Sequence, residues 1–365
     1  MSSISGLYVV RAIDPSDLEG FFALAQISGP GFTSLQPNME YLKRYIDASM
    51  ESFANPDVKK SQKFLLVMEE LNTGKVVGCA AVKTKIGIER PFVDFVMKDG
   101  RGNPTKDVRN ALYLDPDHAF DGATEVGSLF MHPEHRKGGL GRYLAKSRYM
   151  LIGTAPEVFS SPIIAELRGN QDASGKSPFY SSVHKARLQK TFEEADEFIT
   201  HADDEGMKAV IPTAPIVIEN LPPEAHKAIG QPHESGVGAY HLLMKEGFSQ
   251  TAIVDLFDAG PIMSASFEDL ATIRESRNVR LNIKSIPIDP KLMMVSSTKL
   301  SSFRAVIGEF ECDETSVSLN VQAATALTEN DGANVRYWTR PDEHKHIGLR
   351  RDERGSISKT EKVYE

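Results

Sequence analysis

The 365-residue chain predicts an α+β fold, and three observations predict it. A strand-like run, two helix-like runs and a strand hairpin follow one another within the first ninety or so residues. A second strand leads through a glycine-rich turn into a helix near residue 140. From about residue 284, short alternating segments dominate (LMMV, FRAVIGEF, TSVSLNV, VRYW), which reads as a small β-rich C-terminal part over 281–341.

The elements take their order from local signals. LYVVRAI (7–13) is an apolar strand, followed by Asp14 as N-cap and Pro15 at the first helical position. Leu18, Phe21, Phe22 and Ala25 then recur at helical spacing, and MEYLKRYIDASMESF (39–53) predicts a second helix. Residues 63–87 read as two strands about an Asn72-Thr73-Gly74 turn. Residues 90–123 are loop-rich, with a strand expected at NALYL (110–114). TEVGSLFM (124–131) and SPIIAELRG (161–169) are further strands. Residues 170–235 are polar and carry no single period. GVGAYHLLMKEGF (236–248) is a helix stopped at Gly247, and SQTAIVDLFDAGP (249–261) a strand ending in a turn. Ser266 and Asp269 form a capping box for a helix reaching Arg277.

Composition bounds the function. The chain is 41% hydrophobic and 25% charged, as a soluble globular protein is. A net charge of -8 argues against a general nucleic-acid binder, which needs a basic face. Cys79 and Cys312 make no disulfide framework, and no apolar run approaches the ~18 residues of a spanning helix. The N-terminus lacks a signal-peptide shape, so a cytoplasmic protein without a membrane partner is expected. The charged segment 342–365 reads as a mobile tail. No internal repeat is visible.

The stretch 128–150, SLFMHPEHRKGGLGRYLAKSRYM, concentrates the chemistry. A strand delivers the chain to a turn, Arg136-Lys137-Gly138-Gly139-Leu140-Gly141, that opens a helix. Backbone N–H groups without intrahelical partners point out of such a helix start, which carries partial positive charge. Glycines admit a bulky anion to the backbone, and Arg136 and Lys137 add full charges. A phosphate or pyrophosphate suits the site. It is neither a P-loop nor a dinucleotide fingerprint, since both glycine spacings are absent. An ordinary strand-to-helix loop is the alternative.

On these residues the chain resembles the GNAT acyltransferase superfamily. Arg136-x-x-Gly139-x-Gly141 after a strand is similar to its pyrophosphate loop for acyl-coenzyme A. Arg11-Ala12 through Asp17 is similar to its first helix start, and the run from Ala239 to Phe248 to its last helix. A more specific resemblance is to the arginine N-succinyltransferase family. GPGFTSL (29–35), NALYLDPDH (110–118), IIAELRG (163–169), SPFY (177–180), AIGQPH (228–233) and DLFDAGP (255–261) look like its blocks. The resemblance implies a mixed central sheet flanked by helices over residues 1–280, with 170–235 as a large insertion. It also implies transfer of a succinyl group from succinyl-CoA to the α-amine of arginine, and a homo- or hetero-oligomer. His233 would be the proton donor and Leu129 a succinyl-CoA contact.

The residues support such chemistry. Attack of an amine on a thioester requires loss of an amine proton, stabilisation of an oxyanion, and alignment of the reactants. Backbone N–H groups near Leu129 and Met131 at a splayed strand can meet the oxyanion. A histidine near neutral pKa suits the proton transfer. Cys79 lies in a buried-looking strand and reads as core. Arg168 is a candidate for the succinyl carboxylate and Glu166 or Asp255 for a guanidinium, with a structural ion pair as the alternative. Asn110, Thr33 and Ser34 are further substrate candidates, His132 and His135 flank the loop, and Ser147 reads as helix surface. No spacing supports a metal site. Transfer to ornithine or of another acyl group, and a non-catalytic acyl-CoA sensor, remain as alternatives.

Overall fold

The computed structural model describes residues 6–29, 35–172, 175–201, 204–284 and 290–340. Thr33, Ser34 and the tail 342–365 lie outside the described residues. Fifteen strands form one continuous sheet among the described residues. Its first half contains β1 (Tyr8–Ala12), β2 (Gln62–Glu70), β3 (Lys75–Thr84), β4 (Asp94–Lys98), β5 (Tyr113–Asp117), β6 (Thr124–Met131) and β7 (Ile163–Glu166). Then come β8 (Ile216–Val217), β9 (Ser249–Val254), β10 (Pro261–Ala265) and β11 (Arg277–Ile283). The last are β12 (Lys291–Ser296), β13 (Arg304–Cys312), β14 (Ser316–Leu319) and β15 (Asn334–Thr339).

The order is β12-β15-β11-β14-β13-β1-β2-β3-β6-β7-β10-β9-β4-β5-β8. β12 also pairs with β13, so five C-terminal strands close into a ring. The inward residues of that ring, among them Val279, Met293, Val306 and Tyr337, make a core of their own with Ala323 and Leu327. The ring is not a detached unit, because β13 continues the sheet through its pairing with β1. Pairing is antiparallel except for β6 with β7 and β11 with β14.

Local signals account for most of the first half. Asp14 accepts from Ser16 N–H, and Asp17 returns to Asp14 N–H, closing a capping box around Pro15. Arg11 clamps Asp17 with two bonds of 2.7 and 2.8 Å and also reaches Glu69. Asn38 caps the helix Met39–Ala54, accepting from Glu40 and Tyr41 N–H. That helix buries Leu42, Tyr45, Ile46 and Phe53, covering β2 with Leu42, Tyr45 and Ile46 packed by Leu65 and Val67. At the β2–β3 turn Gly74 takes φ +67°, a conformation that costs glycine nothing.

Several expectations need correction. The strand expected at 110–114 lies at 113–117, because Asp107 holds residues 109 and 110 in a turn. The strand expected over 161–169 keeps strand geometry only through Glu166. The box Ser266–Asp269 caps a short 3-10 turn, and the helix after it is brief, Ala271–Glu275. β10 and the helix Val321–Leu327 were not foreseen. Ser147 is buried, its hydroxyl turned back to the Leu144 carbonyl, because the helix Leu140–Thr154 is packed on several sides. Residues 170–235 carry short helices and β8, assembled around a separate apolar cluster that includes Phe95, Phe179 and Phe257.

Candidate active site

β6 departs from regular pairing in the middle of its length. Its register on β3 shifts between Cys79 and Ala81, and Ser128 takes φ +50°. The strand therefore bulges at Ser128, whose hydroxyl lies 3.4 Å from that of Tyr45. On its other side β6 pairs with β7 only at Thr124–Ile163 and Glu125–Ile164. Beyond those positions the two strands part, and Leu129 faces the opening. Cys79 Sγ donates to the Ser128 carbonyl at 3.4 Å, and burial pushes the thiol up to about 12, so the thiol is core and not a nucleophile.

The glycine-rich turn follows. Residues Pro133–His135 make one 3-10 turn, after which Gly138 and Gly139 adopt φ +63° and +84°. Gly139 is the N-cap of the helix Leu140–Thr154, so the chain reverses without side chains in the way. The Arg136 Nε–H donates to the Met131 carbonyl at 3.0 Å, and its guanidinium lies 5.4 Å from the Phe130 ring centre. Arg136 is thus spent partly on fixing the turn. Met131 is buried beneath it and belongs to the core. Among the described residues, nothing lies within 4 Å of a Cβ placed on Gly141. Sheet, splayed strands and glycine-led helix agree with the α+β fold that the sequence predicts.

A cleft of about 960 Å³ runs from this opening inward, near the upper end of what small-molecule sites span. Leu129 and Arg142 line it on the loop side, and Arg168, Asp94, Glu166 and Asp255 line it further along. The sequence had singled out Leu129, Glu166, Arg168 and Asp255, and the fold brings them together. Asn110 is not brought there: it is exposed and bonded to Asp107 in its own turn. Met131, Arg136, Lys137, Gly138, Gly139 and Gly141 all stay outside the cleft lining, and the helix after the turn reaches the cleft at Arg142.

His233 stands at the rim. Its backbone N–H donates to the Arg168 carbonyl at 2.8 Å, and Ser235 and Gly236 of its turn line the cleft. Nδ1 is engaged with the Ser235 hydroxyl at 2.8 Å and accepts from Ser235 N–H. Nε2 is the ring nitrogen left for other partners. Burial first, and then the Arg168 charge, lower the imidazole pKa. The Arg168 segment is itself pinned by Asp258, which accepts from Gly169 N–H at 2.7 Å and Gly260 N–H at 2.8 Å. A Cβ on Gly169 or Gly260 would strike the Asp258 and Leu167 carbonyls, so this close approach requires glycine.

Three other histidines have structural contacts. His184 is buried, bonded through Nε2 to the Leu256 carbonyl at 2.7 Å and stacked on Tyr180 and Phe257. Burial lowers its pKa to about 4. His132 accepts from Glu134 N–H, and His135 packs edge-on against Tyr8.

The acidic end of the cleft was only half legible. Asp94, Glu166 and Asp255 place one carboxylate oxygen each within 4.8 Å of the others. Asp255 Oδ1 accepts from Phe257 and Asp258 N–H, which orients it. Burial, followed by the Asp255 charge, pushes the Asp94 carboxyl well above the ordinary carboxylate range. Burial and then Asp94 push Glu166 the same way, though the residue is not fully buried. Nearby, Lys83 is held by both oxygens of Glu125 at 3.0 and 2.9 Å. Burial opposes the Lys83 charge, but Glu125 outweighs it and its pKa is raised. Asp94, Lys83, Glu125 and Arg142 escaped the sequence reading. For Asp94 the signal was a single acid inside an apolar run, FVDFVM.

One consequence is measurable in the ligand-free protein. A carboxyl whose folded pKa is raised contributes stability below its unfolded value, ordinarily about 3.9 for aspartate, and loses it as pH rises towards the folded value. Asp94→Asn removes that loss. The melting temperature of the variant minus that of the parent should therefore climb as pH goes from 4 to 8. A flat difference would mean that Asp94 ionises freely in the fold.

Comparisons with known proteins agree along the chain. The family model described as arginine N-succinyltransferase beta subunit matches residues 8–272, and the model for the C-terminal domain of the same beta subunit matches 276–339. Arginine N-succinyltransferase of Photorhabdus laumondii is 33% identical over 336 residues, 90% of this chain and 97% of that protein. The enzyme of that name from Yersinia pestis (strain Pestoides F) is 31% identical over 339 residues, 90% and 96% of the two chains. The solved structure of arginine/ornithine succinyltransferase subunit AI from Pseudomonas aeruginosa superposes with a TM-score of 0.80 at 26% identity. It covers 92% of this chain and 99% of that one. A match that runs from β1 to β15 and includes the splayed strands, the glycine turn and the His233 segment places this chain in the arginine N-succinyltransferase family.

Proposed function

We propose that the chain transfers the succinyl group of succinyl-CoA to the α-amine of L-arginine, giving N2-succinylarginine and free CoA. The observation that carries this reading is one continuous cleft. It joins the Ser128 bulge and Arg142, in the first turn of the helix Leu140–Thr154, to a wall of three carboxylates. One end suits a pyrophosphate and thioester, the other a cationic amino acid. The names of the matching relatives support the choice of both substrates. Both the family model and the Pseudomonas structure are described as subunits, which supports an assembly of more than one chain.

The reaction follows from placement. CoA phosphates meet the N–H groups of Gly139 and Gly141, with Lys137 and Arg142 adding charge. The thioester carbonyl lies where β6 and β7 part, beside Leu129, and backbone N–H groups there stabilise its oxyanion. Arg168 offers a planar fork to the succinyl carboxylate. The amine nitrogen bonds to the carbonyl carbon and the oxyanion forms. The intermediate then expels the CoA thiolate as the C–S bond breaks. His233 takes the amine proton and returns a proton to the thiolate, so protons balance over the cycle. No covalent enzyme intermediate is needed.

Thiol release tests the reading, with succinyl-CoA and arginine run beside acetyl-CoA with arginine and succinyl-CoA with ornithine. The specific pair should be faster by at least about tenfold. Equal rates with ornithine would move the amine assignment, and equal rates with acetyl-CoA the acyl one. Binding of succinyl-CoA without thiol release from any pair would favour a sensor.

A further inference from the structure

The carboxylate wall has a feature that the transfer reaction alone does not explain. Asp94 opens β4, Glu166 ends β7 and Asp255 follows β9, so three separate strands converge at one point. Asp94 is only 4% exposed, yet it lines the cleft, and its Oδ2 has no hydrogen-bond partner among the described residues. A buried acceptor in that state costs stability unless a donor meets it. Lys83 is committed to Glu125 through both carboxylate oxygens. The three acids are therefore built to receive a cation that carries several N–H donors.

We propose that Asp94, Glu166 and Asp255 together seat the guanidinium of the amino-acid substrate, with Asp94 as the specificity-determining carboxylate at the floor of the cleft. The proposal rests on the succinyl-transfer reading and deepens it. The α-amine is the weaker choice of occupant. It must be neutral to attack the thioester, and three carboxylates around it would hold it protonated. A guanidinium stays charged throughout, and its five N–H donors lie in one planar fork able to serve several carboxylate oxygens at once. Position agrees. Glu166 lies two residues past Ile164, the last residue of β7 paired with β6, whereas Leu129 lies beyond the bulge towards the CoA loop. An arginine in the cleft then directs its α-amine to Leu129 and its far end to Asp94. The raised pKa values of Asp94 and Glu166 fit a site whose acids ionise when the cation arrives.

The test is calorimetric titration of arginine and of citrulline, its neutral isostere, into the full-length protein saturated with CoA. The parent should bind arginine at least about tenfold more tightly than citrulline. Asp94→Asn and Glu166→Gln should each weaken arginine by about 10- to 100-fold, with citrulline and CoA affinities unchanged. These effects are of the size expected for a charge-assisted pair. Circular dichroism establishes that each variant folds, and Glu166→Gln carries the test if Asp94→Asn does not. Three results would overturn the proposal. One is unchanged arginine affinity in a folded variant. Another is arginine bound no better than citrulline, or not at all. The last is a divalent cation (Mg²⁺, Mn²⁺ or Zn²⁺) bound one per chain, dependent on Asp94 and not displaced by arginine. Binding and turnover separate the two readings. Asp94-dependent arginine binding without succinyl transfer would sink the activity assignment alone. Succinyl transfer to arginine with an indifferent Asp94 would sink this one alone.

Discussion

His233→Ala is expected to lower kcat by about 10²- to 10³-fold while leaving the affinity for succinyl-CoA within about twofold. The split follows from placement: the ring stands at the rim beside Arg168, whereas the proposed CoA site is the glycine turn on another segment. Ser235 engages Nδ1, which fixes the ring and leaves Nε2 for the reacting groups. Burial and Arg168 both lower the imidazole pKa, so the neutral form persists below the ordinary value of about 6.5. Neutral imidazole accepts the amine proton; the imidazolium then protonates a thiolate whose conjugate acid is weaker, near 8.5 for an ordinary thiol. The sign for kcat/KM follows. Activity should fall as pH drops through the lowered histidine pKa, and that acid limb should lie below pH 6.5. Arg168→Gln removes the nearby cation, so the limb should move to higher pH even if KM for succinyl-CoA also rises. Stopped-time thiol assays from pH 5 to 9 measure both. A His233→Ala enzyme with unchanged kcat would remove the histidine from the mechanism and leave water to carry the protons.

The parts of this architecture visible in the sequence are those fixed by neighbours in the chain. The Asn72–Gly74 turn, the Asp14 cap, β6 to the residue, and the Gly247 helix stop depend on contacts a few residues apart. So does the glycine turn, which is why the proposed CoA site was legible. What escaped depends on distant pairing. β10 begins with a proline and is only five residues long, and its strand geometry comes from β7 and β9 on either side. The closed C-terminal ring needs β12 to meet both β13 and β15. Asp94 reads as an exception inside an apolar strand until Glu166 and Asp255 arrive beside it. Glu166, Arg168 and Asp255 were legible as candidates because they sit in blocks that resemble the family. Asn110 sat in such a block too, yet its side chain is occupied by Asp107. A block can therefore owe its composition to a turn as well as to a site.

Glu246→Ala is expected to destabilise the fold by about 3–5 kcal/mol, the cost of leaving a buried charge without its partner. Glu246 sits at the end of the helix Val237–Glu246 and is 2% exposed. One of its oxygens accepts from Lys146 at 2.7 Å and from the Thr272 hydroxyl at 2.9 Å. The other accepts from Thr272 N–H at 2.7 Å. Lys146 also donates to the Thr272 hydroxyl and lies 4.3 Å from the Trp338 ring centre. One acid thus joins the helix Leu140–Thr154, the helix Val237–Glu246, the helix Ala271–Glu275 and, through Trp338, the last strand of the C-terminal ring. Truncating it strands the Lys146 ammonium and the Thr272 N–H together. The reason for the cost is testable by a second variant. Lys146→Met combined with Glu246→Leu removes both charges and fills the space with apolar groups, and buried pairs replaced in that way often leave stability near its starting value. The double variant should therefore recover most of the loss, apart from the Thr272 N–H that still lacks an acceptor. Urea unfolding of the parent, the single and the double variant measures this directly. If the double variant were as unstable as Glu246→Ala, the node would owe its contribution to the Thr272 bonds, and the ion pair itself would be secondary.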